Sequence, residues 1–235
     1  MSATLYLIPV ALGDVPWSLF LPAATREIAV SLRHFVVENA KTARAELKRL
    51  DHPVPLRELS IEQLPEKLGQ TDIDRLLAPL QSGHSLGIMS EAGCPGVADP
   101  GALLVRRAHE LGIQVKPLVG PSSLLLSLMA SGLDGQQFAF HGYLPAREPE
   151  RSQKISALEK ESHRLGQTQL FIETPYRNNA LFQALLTACQ GGTRLCVATD
   201  LTLPGESVVT RTVAQWRKIP APALEKRPTV FLILA

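Results

Sequence analysis

A loop rich in glycine and proline carries several side chains that can do chemistry. Residues 90–101 read Ser-Glu-Ala-Gly-Cys-Pro-Gly-Val-Ala-Asp-Pro-Gly and offer a hydroxyl, two carboxylates and a thiol. The apolar run 86–89 before it predicts a buried strand, and the alternating apolar and charged residues at 102–111 predict a helix. Open α/β sheets bind ligands at the carboxyl ends of their strands, where such a loop opens. The sequence therefore predicts a ligand-binding loop.

The residues that flank the predicted helix fit its two ends. Asp99 is expected to cap the helix, Pro100 to occupy its first turn, where a missing N–H costs nothing, and Gly112 to close it. Taken alone, the loop could equally be a tight strand-to-helix connection in which glycines satisfy unusual backbone angles.

Two further loops follow predicted strands in the first half of the chain. Residues 9–14 and 119–123 are expected to lie with 90–101 along one edge of a parallel sheet. Glycine lets a ligand approach the backbone closely, and the serines of these loops add hydroxyls without bulk. The recurrence favours ligand binding over a purely structural role. His141 also follows a predicted strand, but a lone histidine is more often structural.

Strands and helices alternate along the chain, which predicts an α/β fold. In the first half we expect strands at 4–10, 35–38, 84–89 and 113–119, a weaker strand at 56–60, and helices at 22–33, 41–50, 72–81 and 102–111. In the second half we expect a helix capped by Ser122 and strands at 138–140, 169–172, 195–198, 208–209 and 229–233.

The length of 235 residues suits one large domain or two of about 100 residues each, and we expect two α/β domains, residues 1–118 and 119–235. We expect a largely parallel sheet in the first and mixed, partly antiparallel pairing in the second, because a closing apolar strand and a short segment at 206–211 end the chain.

Composition and motif content exclude several classes of protein. The net charge is +2 and no long basic run occurs, so the composition neither excludes nor indicates nucleic-acid binding. Dinucleotide, P-loop, serine-hydrolase and metalloprotease motifs are absent. The three cysteines have neither zinc-site nor disulfide spacing, so no metal is expected. The start of the chain resembles no signal peptide, and no apolar run approaches membrane-spanning length, which together favour the cytoplasm.

Six blocks in one order resemble a known family. They are 9–14 (Pro-Val-Ala-Leu-Gly-Asp), the loop 90–101, 119–123 (Val-Gly-Pro-Ser-Ser), 140–145 with Glu150-Arg151, 171–177 (Phe-Ile-Glu-Thr-Pro-Tyr-Arg), and Leu201-Thr202 with Glu206. Together they resemble the tetrapyrrole methylase superfamily, within it most closely the 16S ribosomal RNA cytidine 2′-O-methyltransferases. The resemblance spans nearly the whole chain.

The resemblance implies an S-adenosylmethionine-dependent methyltransferase of two α/β domains, with the cofactor in the cleft between them, usually in a homodimer. By motif position it also implies a set of cofactor contacts. These are Leu12, Ser90, Glu91, Ala92, Cys94, Ser122, Ser123, and Glu173 or its neighbour Thr174. The alternative for Glu173 is a carboxylate paired with Arg177, since ion pairs at that spacing are common.

Methyl transfer to a ribose hydroxyl is an in-line displacement that benefits from a general base or a nearby cation. Glu38, Lys41 and Glu206 are the candidate catalytic residues. The chain departs from the branch in two places. Val37-Glu38-Asn39-Ala40-Lys41 stands where members carry Ala-Glu-Asp-Thr-Arg, and Ser90-Glu91-Ala92-Gly93 where they carry Ser-Asp-Ala-Gly.

Three functions remain open at this point. The first is a methyltransferase acting on RNA or a related substrate, the second a methylase of a small molecule such as a tetrapyrrole precursor, and the third a cofactor-binding module without catalysis. Ribosomal RNA is the inherited expectation with least support in the residues, because the net charge is only +2 and members of the branch tend to extend beyond the final strand.

Overall fold

The computed structural model describes residues 3–235. The chain divides into two compact units, Met1–Ser122 and Ser123–Ala235, each with its own five-stranded sheet. The α/β fold predicted from the alternation of apolar patterns is confirmed. Among the helices within these residues, none combines the length and apolar character needed to cross a bilayer.

The sheet of the first unit is parallel at every strand pair, where the sequence predicted a largely parallel sheet. Its strands are β1 (Thr4–Ile8), β2 (His34–Val37), β3 (Ser60–Gln63), β4 (Leu86–Met89) and β5 (Gln114–Pro117). They are ordered β3-β2-β4-β1-β5, so all their carboxyl ends meet at one edge. Every residue of β4 is buried, which agrees with its continuous apolar sequence.

The helices of this unit are α1 (Ala23–Ser31), α2 (Ala40–Arg49), α3 (Gln70–Leu76), α4 (Ala78–Gln81) and α5 (Gly101–Glu110). The single helix expected at 72–81 is two helices. Pro79 lies in the first turn of α4, where its missing N–H breaks no helical hydrogen bond. The strand expected at 56–60 was also misplaced, because residues 56–58 form a 3₁₀ turn and the strand begins only at Ser60.

The ends of α5 follow the sequence prediction in part. The Asp99 carboxylate accepts from Gly101 N at 2.7 Å, but Pro100, expected inside the first turn, lies just before the helix. At the other end, Gly112 has a left-handed φ of 67° and its N–H bonds to His109 O, as expected for a closing glycine.

The second unit has a mixed sheet, as predicted. Its strands are β6 (Phe138–Tyr143), β7 (Thr168–Ile172), β8 (Arg194–Thr199), β9 (Ser207–Thr212) and β10 (Thr229–Leu234). They are ordered β6-β7-β10-β8-β9, with β6 parallel to β7 and β10 antiparallel to both of its neighbours. His141 does not follow the first of these strands but lies inside it, with Nε2 2.5 Å from Gln169 Oε1, which agrees with a structural role.

The helices of the second unit are α6 (Ser123–Ser131), α7 (Glu150–Leu165), α8 (Asn178–Ala188) and α9 (Val213–Trp216). One core packs α7, α8 and α9 against the sheet around Phe171, Phe182 and Phe231. The first unit has two cores, one on each face of its sheet, centred on Phe35 and Leu47 and on Leu76 and Leu104. Packing of helices against each sheet therefore fixes the strand ends from which the loops begin.

Candidate functional site

The three predicted loops of the first unit meet at the carboxyl edge of its sheet. Val10 and Gly93 exchange two backbone hydrogen bonds, of 2.9 and 3.2 Å, which join the loops after β1 and β4. The Cys94 thiol donates to Pro121 O at 3.3 Å and so joins the loop after β4 to the loop after β5. The sequence predicts that the three loops lie along one edge of the sheet, and in the structure they are in direct contact.

Asp99 organises the loop after β4 from within. Its Oδ1 accepts from Gly96 N at 2.8 Å as well as from Gly101 N, so one carboxylate holds both ends of the turn. Its Oδ2 is buried and has no hydrogen-bond partner within residues 3–235. Burial raises the pKa of the Asp99 carboxyl, and the two backbone hydrogen bonds act against that rise.

Glu38 links the end of β2 to the same loop. Its Oε2 accepts from Glu91 N at 2.9 Å, across 53 residues of sequence. Burial raises the pKa of the Glu38 carboxyl, the negative charges of Asp99 and Glu91 add to the rise, and the hydrogen bond from Glu91 N opposes it. Lys41 lies in the first turn of α2 and is exposed. The predicted catalytic residues Glu38 and Lys41 therefore lie at the same edge as the loops.

A cavity of about 180 Å³ lies between α2 and the loops after β1 and β4. Glu46 lies at its lining, buried, and accepts from Ala11 N at 3.3 Å while it pairs with Arg49. Arg49 also bonds to Asp14 Oδ1 at 2.8 Å. Burial raises the pKa of the Glu46 carboxyl, and the charge of Arg49 counteracts this. Sequence reasoning missed Glu46 and Arg49, because they are read there only as polar positions of an amphipathic helix.

The structure places six predicted cofactor contacts at this edge of the first unit, namely Leu12, Ser90, Glu91, Ala92, Cys94 and Ser122. Leu12, Ser90, Glu91 and Ala92 line the cavity. The Ser90 hydroxyl is buried and donates within its own loop, to Ala92 O at 3.2 Å. Burial raises the pKa of the Cys94 thiol, which keeps it protonated as a hydrogen-bond donor.

The other predicted contacts lie in the second unit. Ser123 is the first residue of α6, and Glu173 and Thr174 follow directly after β7. The Glu173 side chain is fully buried, and its Oε1 accepts from Arg177 Nη2 at 2.7 Å and from Thr174 N at 2.6 Å. The ion pair weighed as the alternative for Glu173 is thus present. It leaves Oε2 buried and without a partner within residues 3–235.

Glu206, the third predicted catalytic residue, lies in the loop between β8 and β9 of the second unit. It is exposed and accepts from Thr202 N at 2.7 Å. Thr202 has a left-handed φ of 70°, and its hydroxyl oxygen is buried without a partner within the described residues. Strained backbone and unsatisfied polar atoms gather where ligands bind more often than elsewhere. This loop was found in the sequence only through the resemblance.

Glycine-bearing loops that meet at the carboxyl edge of a parallel sheet, with carboxylates around them, define a ligand-binding α/β protein. The sequence profile of the family described as Tetrapyrrole (Corrin/Porphyrin) Methylases matches residues 22–216. The chain therefore belongs to the tetrapyrrole methylase family, and the resemblance drawn from its motifs is confirmed.

Curated proteins named Ribosomal RNA small subunit methyltransferase I are similar to this chain. The protein from Xylella fastidiosa (strain Temecula1 / ATCC 700964) is 35% identical over 161 residues, which are 68% of this chain and 58% of that protein. The protein from Vibrio cholerae serotype O1 (strain ATCC 39315 / El Tor Inaba N16961) is 29% identical over 204 residues, or 87% of this chain and 67% of that protein. The chain thus spans about six-tenths to two-thirds of the length of these relatives.

Solved structures share the fold at low sequence identity. The methyltransferase CobJ aligns with a TM-score of 0.63 and 15% identity, over 99% of this chain and 93% of that one. The cobalt precorrin-4 methyltransferase CbiF aligns with a TM-score of 0.63 and 14% identity, over 98% and 94% of the two chains. At these identities the comparison supports the architecture of the tetrapyrrole methylases.

Proposed function

We propose that this protein transfers a methyl group from S-adenosylmethionine to ribosomal RNA. The observation that carries the proposal is the edge of the first sheet, where the loop of residues 90–101 is joined to the loops after β1 and β5. Family membership supports the reaction class, and the name of the curated relatives, ribosomal RNA small subunit methyltransferase I, supports the acceptor.

The residues at this edge fit the cofactor in two ways. S-adenosylmethionine supplies a methyl group on a positively charged sulfonium, and the carboxylates of Glu38, Glu91 and Asp99 give the loop after β4 a negative field. The buried Asp99 Oδ2 adds to that field without a partner of its own among residues 3–235. Gly93 has a left-handed φ of 73°, which L side chains rarely adopt, and the missing side chain lets a ligand approach the backbone of this loop.

We assign the cofactor contacts to the residues that the motifs indicated. In the first unit these are Leu12, Ser90, Glu91, Ala92, Cys94 and Ser122, and in the second Ser123, Glu173 and Thr174. The unpartnered Oε2 of Glu173 supports its inclusion, because a buried carboxylate oxygen that lacks a donor is costly unless a donor arrives with a ligand.

Glu38 is the proposed general base. Its Oε2 is held by Glu91 N, which fixes the orientation of the carboxylate at the loop. The raised pKa makes this carboxylate a stronger proton acceptor than an exposed glutamate, which is what removal of a proton from a hydroxyl nucleophile requires. Lys41 supplies a cation beside it, and Glu206 is the candidate that the second unit offers.

We also propose an assembly and a location for this protein. A homodimer is proposed from the family resemblance, and the exposed apolar side chains of Leu125 and Met129 on α6 support it. The cytoplasm is proposed because Cys94, Cys189 and Cys196 are all free thiols. The division into domains at residues 118–119 likewise stays a proposal, which limited proteolysis of the full chain would test.

The first experiment is isothermal titration with S-adenosylmethionine and S-adenosylhomocysteine, followed by methyl transfer to unmethylated small-subunit ribosomal RNA. Saturable binding near one ligand per chain and incorporation of a methyl group into the RNA are the expected results. Transfer to a tetrapyrrole precursor instead would favour the small-molecule hypothesis. Binding with transfer to neither acceptor would favour a module without catalysis, and no binding to folded protein would remove the methyltransferase proposal.

A further inference from the structure

Helix α2 carries an uneven share of the charge of the chain. Its ten residues, Ala40–Arg49, hold four basic side chains and one acidic side chain, which gives the helix a net charge of +3. The whole chain has a net charge of only +2. The rest of the chain therefore has a net charge of −1, and the net positive charge lies on the helix that starts at the candidate site.

Three of these basic residues form an uncompensated stripe. Lys41, Arg44 and Lys48 follow one another at i, i+3 and i+7, so they share one face of the helix, and all three are exposed. Within residues 3–235 none of the three pairs with a carboxylate, whereas Arg49 on the next face pairs with both Glu46 and Asp14. Because no carboxylate within residues 3–235 neutralises these side chains, all three are available to bind an anionic partner.

The stripe borders the cavity described above. Thr42, Ala45 and Arg49 of α2 line that cavity, and Ala45 lies one helical turn after Lys41. The opposite wall is the loop of residues 90–92, part of the proposed cofactor site. At about 180 Å³ the cavity is smaller than sites that hold a whole drug-sized ligand, so it suits one part of a larger molecule.

We infer that α2 is the surface on which an RNA strand docks, with phosphates along the stripe of Lys41, Arg44 and Lys48 and the target nucleoside directed from α2 toward the proposed cofactor contacts of the loop after β4. The stripe extends roughly 10 Å along the helix axis, which suits successive phosphates of a strand. Charge also orients the nucleotide. The neutral base and sugar face the wall that carries the carboxylate of Glu91, and the phosphates stay on the basic face.

This inference rests on the proposed function and deepens it by assigning the surface that recognises the acceptor. It differs from direct readout of sequence, because contacts with phosphates position a strand but carry no sequence information. The assignment predicts that binding through α2 depends strongly on salt and weakly on base sequence.

The test measures the affinity for a fluorescein-labelled single-stranded RNA of mixed sequence by fluorescence anisotropy at several salt concentrations. The test variant combines Lys41→Gln, Arg44→Gln and Lys48→Gln. The matched control combines Arg33→Gln, Lys67→Gln and Arg106→Gln, which removes the same charge from exposed positions of the same unit. Titration with S-adenosylmethionine reports whether each variant keeps a folded cofactor site.

We expect the test variant to lose at least about tenfold in RNA affinity and the slope of log affinity against log salt to fall by about 2, since each single-strand phosphate contact contributes about 0.7. The control variant should lose much less. Equal losses in the two variants, or an unchanged affinity of the test variant, would overturn the inference.

Two further outcomes separate the inference from the proposed function. Methyl transfer to ribosomal RNA by a test variant whose RNA affinity equals that of the wild type overturns the docking surface and leaves the proposed function standing. Wild-type protein that binds neither S-adenosylmethionine nor RNA overturns both.

Discussion

Gly120 shows how closely two of the loops at the candidate site approach each other. A Cβ at this position would lie 2.3 Å from Cβ and 2.7 Å from Cγ of Pro9, in the loop after β1. The proline ring cannot rotate away, so a larger residue must move the backbone of one loop. At the scale of single residues, the contact between the loops therefore depends on the absence of one methyl group.

Gly120→Ala should destabilise the protein by about 1–3 kcal/mol, the usual cost of overpacking a tight contact, and should weaken S-adenosylmethionine binding. The measurements are urea unfolding followed by circular dichroism, and isothermal titration. Gly135→Ala is the control, because a Cβ there meets nothing within 4 Å. Equal stability and affinity of the two variants would show that the loops tolerate separation.

Glu38 makes a second prediction at this scale, about pH. If its carboxylate accepts the proton, the rate of methyl transfer rises as pH increases through the raised pKa of Glu38 and is level above it. Glu38→Gln keeps an oxygen that can accept from Glu91 N, so the loop should keep its conformation, and cofactor affinity should fall only by the loss of one of three carboxylate charges. The rate should fall by about 10²–10⁴-fold and lose this pH dependence. A Gln variant with the wild-type rate and profile would exclude Glu38 as the base.

At the scale of elements, the sequence predicted the strands and helices with strong apolar patterns and missed the weak ones. β4 and β10 are buried on both faces. Their sequences are therefore continuous apolar runs, which predict strands. β3 is an edge strand of sequence Ser-Ile-Glu-Gln, whose polar residues left no pattern of alternation. The sequence placed His141 after a strand because the apolar run of β6 stops at Phe140. The polar and glycine residues that follow in this edge strand gave no strand pattern.

The loops of the candidate site could be predicted from sequence motifs, but the contacts between distant residues could not. The loops at 9–14, 90–101 and 119–123 could be found from glycine, proline and serine at the ends of strands. The bond from Ala11 N to Glu46 could not, because it joins residues 35 positions apart through the packing of α2. Contacts of this kind depend on the register of a helix against a loop, which no local pattern encodes.

Asn39 controls whether α2 starts correctly, since its side chain accepts from Lys41 N at 2.9 Å and from Thr42 N at 3.2 Å. Asn39→Ala should cost about 0.5–2 kcal/mol of unfolding free energy and fray the turn that carries Lys41, so RNA affinity should fall with it. Asn39→Ser restores a capping oxygen and should behave like the wild type. Urea unfolding and RNA anisotropy measure the two effects, and an Ala variant that matches the Ser variant would contradict the prediction.

At the scale of the whole molecule, the two units differ in what they offer to partners. The first unit carries the basic helix and the three joined loops, whereas the second exposes apolar side chains on α6, where Leu125 is 53% and Met129 79% exposed. The two side chains lie one helical turn apart and form a small apolar face. Such a face on a folded unit is typical of a surface that another chain covers.

The proposed homodimer predicts a sedimentation-equilibrium mass twice the 25.6 kDa of one chain. The combination of Leu125→Glu and Met129→Glu should halve that mass, because four carboxylates would face one another in the assembled pair. Leu19→Glu, at an equally exposed position of the first unit, is the control and should leave the mass unchanged. A monomeric wild-type protein would contradict the proposal.

The ion pair between the buried Glu46 and the partly exposed Arg49 has a consequence for how this protein can diverge. Loss of Arg49 alone would leave the Glu46 carboxylate buried beside Ala11 N without a counter-charge, which is far more costly than replacing both residues with apolar ones. In descendants of this sequence, positions 46 and 49 should therefore be inherited as a unit and replaced together. Asp14 contacts the same guanidinium from a fully solvated position, so its substitution should cost little stability.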